Sequence, residues 1–261
     1  MNRRFLVVGA ATWLAFLSGC GQDPIQWTAP TPLPPQLSGA SDLTFGASQR
    51  LAPRAPVGGN VPASPAQCPG SVRVARDGDA DWYAAWWSVR DDSTADLMVA
   101  HSRDGAMWQS AMRVDTTDVA RVGCERPPPS IAADGANVHV AYAMTAREGP
   151  GIFASHSMDR GMLFHSPVAV VYGARIGLTA IAARGDRVAV AYEDPNSDPR
   201  RIGLALSRTQ GHRFDSREIV SPPTGEARSP GVALSGFRIA VTWTRGLGAD
   251  STREFRLGEI R

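Results

Sequence analysis

One twelve-residue pattern occurs three times without a gap: "IAADGANVHVAY" (131–142), "IAARGDRVAVAY" (181–192) and "VALSGFRIAVTW" (232–243). A fourth copy, "VARDGDADWYAAW" (74–86), carries one extra residue. Each copy is a short apolar run, a glycine turn (Gly78, Gly135, Gly185, Gly236) and an alternating run that ends on Trp86, Tyr142, Tyr192 or Trp243. Apolar residues at every second position predict β-strands, and the glycine allows a tight turn between them. The small residues just before each aromatic (Ala85, Ala141, Ala191, Thr242) predict strands covered on both faces. A supersecondary unit repeated at this period cannot bury its apolar face alone, so neighbouring copies must stack.

A second motif keeps the same beat. "HSMDRGMLF" (156–164) holds Ser157, Asp159, Gly161 and Phe164. "HSRDGAMW" holds Ser102, Asp104, Gly105 and Trp108, one residue shorter. "SRTQGHRF" holds Ser207, Gly211 and Phe214, with Thr209 in the aspartate's place. The serines stand 55 and 50 residues apart. One unit therefore contains strand a, glycine turn, strand b, loop, strand c ("DLMVAHS", "GIFASHS", "IGLALS"), motif and strand d ("AMRV", "PVAVV", "REIV"). Four antiparallel strands in about 50 residues, repeated, predict an all-β fold: a small β-propeller of about four four-stranded blades. The fourth unit supplies strands a and b and "REFRLGEIR" as strand c. "FGASQRL" (45–51) matches the segment after each motif, so residues 42–52 are expected to supply the last strand and close the ring by pairing the N-terminal strand with the C-terminal blade.

Ser-x-Asp-x-Gly-x-x-Phe/Trp between the third and fourth strands of a blade resembles the Asp-box of sialidase-like (BNR repeat) propellers. The resemblance implies a folding turn on the face away from an active site. It also implies sialidase machinery: three arginines on the substrate carboxylate, a tyrosine–glutamate nucleophile and an aspartate acid/base. The chain departs from that pattern. It is about two blades short of the family's six, and its nearest approach to an Arg-x-Pro motif, "ERPPPS", lies elsewhere in the repeat.

Arg126, Arg175 and Arg228 precede the strand-a alanines Ala132, Ala182 and Ala233 by five to seven residues. That places them around the axis, opposite the motif turns, where the b–c loops add Arg90, Glu148, Glu193, Asp194 and Arg245. Arg126, Arg175, Arg228 and Glu193 are the candidate binding set, suited to an anionic ligand; the alternative is surface charge for solubility. Cys68 and Cys124 sit in the same leading loops of adjacent units and are expected to form a disulfide. The five histidines show no His-x-x-x-His or Cys/His metal spacing, so neither a metal nor a cofactor is expected. Trp82, Trp86 and Trp87 are assigned to core packing rather than to a sugar platform.

"MNRRFLVVGAATWLAFLSGC" has a basic start, a short apolar run and small residues before Cys20, and its end resembles the bacterial lipobox. The expectation is a signal peptide over 1–19, acylation of Cys20, and a Pro-rich tether over 20–41 holding a propeller over 42–261. Gly21 and Gln22 after the cysteine imply the outer membrane of a bacterial envelope. All 27 basic residues are arginine; without Arg3 and Arg4 the remaining 25 balance 25 acidic residues, which argues against nucleic acid as a partner. The expected role is non-catalytic binding or scaffolding, with an envelope protein or an acidic glycan as partner. The alternatives are a sialidase-type glycoside hydrolase and a purely structural envelope subunit.

Overall fold

The computed structural model describes residues 25–32 and 66–261. The chain begins with β1 (Ile25–Trp27) and β2 (Thr31–Pro32). The first blade follows: β3 (Ala66–Gln67), β4 (Arg73–Arg76), β5 (Trp82–Val89), β6 (Ala95–Ser102) and β7 (Met112–Asp115). The second holds β8 (Ser130–Asp134), β9 (Asn137–Ala146), β10 (Gly149–Ser157) and β11 (Val168–Tyr172). The third holds β12 (Thr179–Arg184), β13 (Arg187–Glu193), β14 (Ile202–Ser207) and β15 (Ser216–Ile219). The fourth holds β16 (Ala227–Ser235), β17 (Arg238–Arg245) and β18 (Thr252–Ile260). These strands form four separate antiparallel sheets, each paired in simple a–b–c–d order. The four-bladed, all-β propeller architecture read from the repeat is the architecture of the molecule.

The last blade is completed in a different way from the one expected. Ile25, Gln26 and Trp27 pair with Ile260, Glu259 and Gly258, and Thr31 and Pro32 pair with Phe255 and Glu254. Residues assigned to the tether thus form the fourth strand of blade four, and the segment 42–52 lies outside the described residues. Over 25–32 the chain is therefore not a tether, because Ile25 and Trp27 supply apolar surface that the blade three–four core buries. Ile25 is buried and joins the core of blades three and four, Trp27 packs against that core, and Trp27 Nε1 donates to Glu218 at 2.9 Å.

The blades are joined face to face by an alternation of large and small residues. In β9, Val140, Tyr142 and Met144 face blade one, while Ala141 and Ala143 face blade three. In β13, Val188, Val190 and Tyr192 face blade two, while Ala189 and Ala191 face blade four. In β17, Ile239, Val241 and Trp243 face blade three. Tyr142 of blade two meets both Ala85 and the Trp87 ring of blade one, whereas blades three and four lay Tyr192 and Trp243 on the strand-b alanines of the blade before. Alanine is required there because a second bulky face would overfill the space between sheets about 10 Å apart. Three such cores join blades one to two, two to three and three to four. Trp86, the blade-one counterpart of Tyr142, belongs instead to a small cluster within its own blade. Among the described residues no core joins blade four to blade one, so pairing of the chain ends completes a sheet without sealing the ring.

The motif turns share one geometry. Ser157 Oγ donates to Asp159 at 2.6 Å and accepts the Gly161 N–H at 2.9 Å; the Asp159 carboxylate accepts the N–H groups of Met162 and Leu163 at 3.0 and 2.9 Å. Ser102, Asp104 and Gly105 repeat this, with Asp104 accepting from Ala106 and Met107. In the third turn Thr209 Oγ1 replaces the carboxylate and accepts one amide, that of Arg213. The glycines Gly105, Gly161 and Gly211 have φ of +72°, +77° and +87°, a conformation that disfavours any other residue.

Two predictions follow from this architecture. Ala191→Leu, which overfills the blade three–four interface, should lower unfolding free energy by about 1–3 kcal/mol in urea titration. The second concerns pH. The amides of Met107 and Ala106, then the Ser102 hydroxyl, hold the Asp104 carboxyl below its ordinary pKa. At Asp159 burial acts upward, but the Ser157 hydroxyl and the amides of Leu163 and Met162 outweigh it and the net shift is down. The stability these carboxylates supply is fully present above the unfolded aspartate value of about 3.9 and is lost as pH falls through the lower folded values. Urea midpoints measured from pH 6 to 2 should fall less steeply below pH ~4 for the Asp104→Asn/Asp159→Asn variant than for the natural sequence.

Candidate functional site

The first residues of the inner strands meet around the axis and enclose a central cavity of about 350 Å³. Its wall includes Arg73, Pro128, Ser130, Thr179, Ser229 and Arg253. Strands a and c run in the same direction, so the cavity opens at the end of the ring opposite the motif turns. Ser130 Oγ and Thr179 Oγ1 lie 3.0 Å apart and both bond to the carbonyl of Ala141. Arg73 and Arg253 are exposed. Arg73 donates to the carbonyls of Gly70 and Val72, Arg253 reaches Thr244 Oγ1 at 3.5 Å, and neither forms an ion pair among the described residues. Among the described residues, no aspartate or glutamate is part of the wall.

The candidate residues from the sequence lie near this mouth but do not converge on it. Arg126 is a structural clamp: its guanidinium, 5% exposed, pairs with the fully buried Asp118 at 2.7 Å. It also donates to Gly123, Ser93 and Ala120 carbonyls and lies over the Trp87 ring. Arg175 is exposed, donating to the Ser197 carbonyl and pairing with Asp198 at 3.3 Å. Arg228 pairs with Glu226 at 2.5 Å. The b–c loop residues Arg90 and Arg245 are engaged by Asp96 and Glu254. Guanidinium groups already held by neighbouring carboxylates and carbonyls are not gathered on one point, and the loops carrying them differ in length and course from unit to unit.

Glu193 stands behind the wall and shapes it. It is buried, receives Arg200 Nη1 at 2.6 Å and accepts the Ser229 N–H at 2.9 Å. Ser229 sits at φ +53° where the β16–β17 register shifts between Arg228 and Gly231. That backbone conformation costs a non-glycine residue about 1–2 kcal/mol. The carboxylate–amide bond from blade three holds it, and so presents Ser229 and Pro230 to the cavity. Gly177 lies on the Glu193–Arg200 pair: a Cβ there would be 2.3 Å from Glu193 Oε2 and 2.4 Å from Arg200 Nη1.

Cys68 and Cys124 form a disulfide with Cα atoms 5.4 Å apart and a sequence separation of 56. Cross-linking a loop of that length restricts the unfolded chain by about 4 kcal/mol in the entropy model. The bridge ties the start of blade one to the loop leading into blade two. Trp86 and Trp87 are buried and Trp82 is half-buried beneath Arg76, consistent with the core role assigned to them.

A second cluster, on the opposite face, had no local signature. His156 (the residue before a motif serine), His165 (just after that motif) and His212 (inside the next motif) place one nitrogen each within 4.8 Å of the others. His139 pairs with His156 across β9 and β10. Burial first, then neighbouring histidine charge, pulls His139 down to about 3 and His156 to about 4, so both are neutral near pH 7. His101, which also precedes a motif serine, is separate: it stacks on Tyr83 and lies 3.2 Å from Asp81. Only the stacking of one blade's turn on the preceding blade's strands brings residues 156, 165 and 212 together.

No protein-family model matches the sequence, and no curated protein matches it. Solved structures do share the fold. The α-L-arabinanase of Penicillium chrysogenum in complex with arabinobiose superposes with a TM-score of 0.53 at 15% identity, over 74% of this chain and 65% of that one. The Hadza microbial sialidase gives 0.50 at 13% identity, over 70% of this chain and 43% of its own. The fold shared with these structures is a β-propeller. At this identity the likeness extends to the fold alone, and the chain spans between about two fifths and two thirds of the length of these neighbours.

The structural role of Arg126 has a direct consequence. Arg126→Ala leaves Asp118 as an uncompensated buried charge and should lower unfolding free energy by about 3–5 kcal/mol in denaturant titration. A purely ligand-facing arginine would leave stability within ~0.5 kcal/mol.

Proposed function

We propose that this protein is a lipid-anchored envelope component whose propeller binds an acidic glycan at its central mouth without cleaving it. The lining of the mouth carries this reading: among the described residues it holds two arginines without carboxylate partners, serine and threonine hydroxyls and prolines, and no acidic side chain. Guanidinium groups form charge-assisted, bidentate bonds with carboxylates. Glycoside hydrolysis of the usual kind needs two carboxylates about 5–9.5 Å apart across the scissile bond. Glu193, behind the wall, is committed to Arg200 and the Ser229 amide. The sugar-directed names of both structural neighbours favour a glycan over a peptide as the ligand class. The anchor rests on the lipobox-like Leu17–Cys20 sequence and its preceding apolar run, which lie outside the described residues.

Calorimetric titration with oligosaccharides bearing sialic or uronic acids tests the binding. Saturable binding should weaken about tenfold or more for each of Arg73→Ala and Arg253→Ala, the worth of one charge-assisted hydrogen bond. Equal binding by the variants, or none by the natural protein, moves the site elsewhere. Turnover of a fluorogenic sialoside above a heat-killed control replaces this reading with hydrolysis. The anchor is tested separately: Cys20→Ser should lose both incorporation of an alkyne fatty acid and membrane fractionation.

A further inference from the structure

On the face opposite the mouth, we propose that His156, His165 and His212 form a binding site for a divalent transition-metal ion such as Zn²⁺, bridging blades two and three. The three residues come from different places in the repeat, yet their ligand nitrogens lie within 4.8 Å of one another. Zinc–imidazole bonds of about 2.0–2.1 Å set ligand nitrogens roughly 3.3 Å apart, so the separations must close by at most about 1.5 Å. The arrangement permits that closure on one side and is fixed on the other.

The fixed side is His156. It is 3% exposed, lies within β10, and its Nε2 is buried without a hydrogen-bond partner. An unsatisfied buried ring nitrogen is costly, and coordination is one chemistry that satisfies it. The movable side is His165 and His212, both exposed. The His165 ring stacks on His156 with centroids 4.4 Å apart and must swing out of that stack to aim its lone pair. Its backbone is already held in place by the His156 carbonyl, which accepts its N–H at 2.8 Å, and by Ser155 Oγ, which donates to its carbonyl at 2.7 Å.

His212 has the orienting bond typical of a metal-ligating histidine. Its Nδ1 lies 2.7 Å from the Thr209 carbonyl. A carbonyl only accepts, so the proton is on Nδ1 and Nε2 carries the lone pair. The third motif turn delivers this ring across the blade boundary: a Cβ on Gly211 would lie 3.4 Å from His139 Nδ1 and 3.7 Å from His156 Nδ1. Three imidazoles suit Zn²⁺, Cu²⁺ or Ni²⁺ rather than Ca²⁺ or Mg²⁺, and leave an open, solvent-facing position for water or a further ligand.

The test uses the chain without a histidine tag, stripped with chelator and titrated with Zn²⁺ by calorimetry and with Co²⁺ by visible absorption. The expected result is one equivalent bound, with Co²⁺ bands of a four- or five-coordinate site. His165→Ala/His212→Ala should weaken binding by more than ~100-fold, beyond the 10–100-fold that loss of an orienting partner costs. Both replaced side chains are exposed, so the variant's urea midpoint in chelator should match that of the natural chain and keep the comparison valid. Absence of binding at millimolar Zn²⁺, or binding by the double variant with unchanged affinity, overturns the proposal. Neither outcome bears on the glycan site at the other end of the ring.

Discussion

The contact on which the rest depends is the laying of one blade's aromatic face on the alanine-bearing face of the blade before it. Tyr142, Tyr192 and Trp243 are fully or almost fully buried between sheets. Two of these aromatics also bond through their polar atoms. Tyr142 donates to Asp115 at 2.6 Å, and Trp243 Nε1 donates to Glu254 at 3.0 Å. Burial, reinforced by the Asp115 charge, raises the Tyr142 hydroxyl far above its ordinary pKa, so it remains a donor. A slightly displaced blade would lose apolar contact and strand a polar group together, which makes blade position well determined.

That determinacy sets both ends of the ring. At the mouth, the inner strands begin close to the axis and their first residues become a wall. The Glu193–Ser229 bond transmits the position of blade three to the wall contributed by blade four. At the other end, the motif turns tie the c–d connections of blades one to three through Ser102, Ser157 and Ser207, and the second and third turns rest on the preceding blade. Arg160, in the second turn, reaches Asp81 of blade one, as Gly211 reaches the histidine pair of blade two. The turns are therefore folding devices within a blade and contact devices between blades.

The interface between blades four and one stands apart. Blade four receives its outer strand from residues 25–32, so the two ends of the described chain meet in one sheet. Sheet completion and ring closure are separate problems. Hydrogen bonds solve the first, whereas the second needs a facing apolar core, and Trp86 packs within its own blade.

The repeated strand–glycine–strand pattern determined the fold class, the blade count and the positions of the motif turns, because period-two burial and positive-φ glycines are local requirements. The disulfide was legible for a related reason: two cysteines occupied equivalent loops of adjacent units. The outer strand of blade four was not legible, since three residues around Ile25 carry no period and proline-rich surroundings mask them. Nor were the functional groups. Arg126, Arg175 and Arg228 sit at similar offsets, but which atoms a guanidinium meets depends on loop courses that the offsets do not encode. Arg73 and Arg253 reach the mouth, and His156, His165 and His212 reach one another, only after the blades stack. Sequence alone decided what each blade is, because that is settled by near neighbours along the chain. Tertiary structure decided what the blades hold between them, because those residues are distant in sequence and are gathered only by packing.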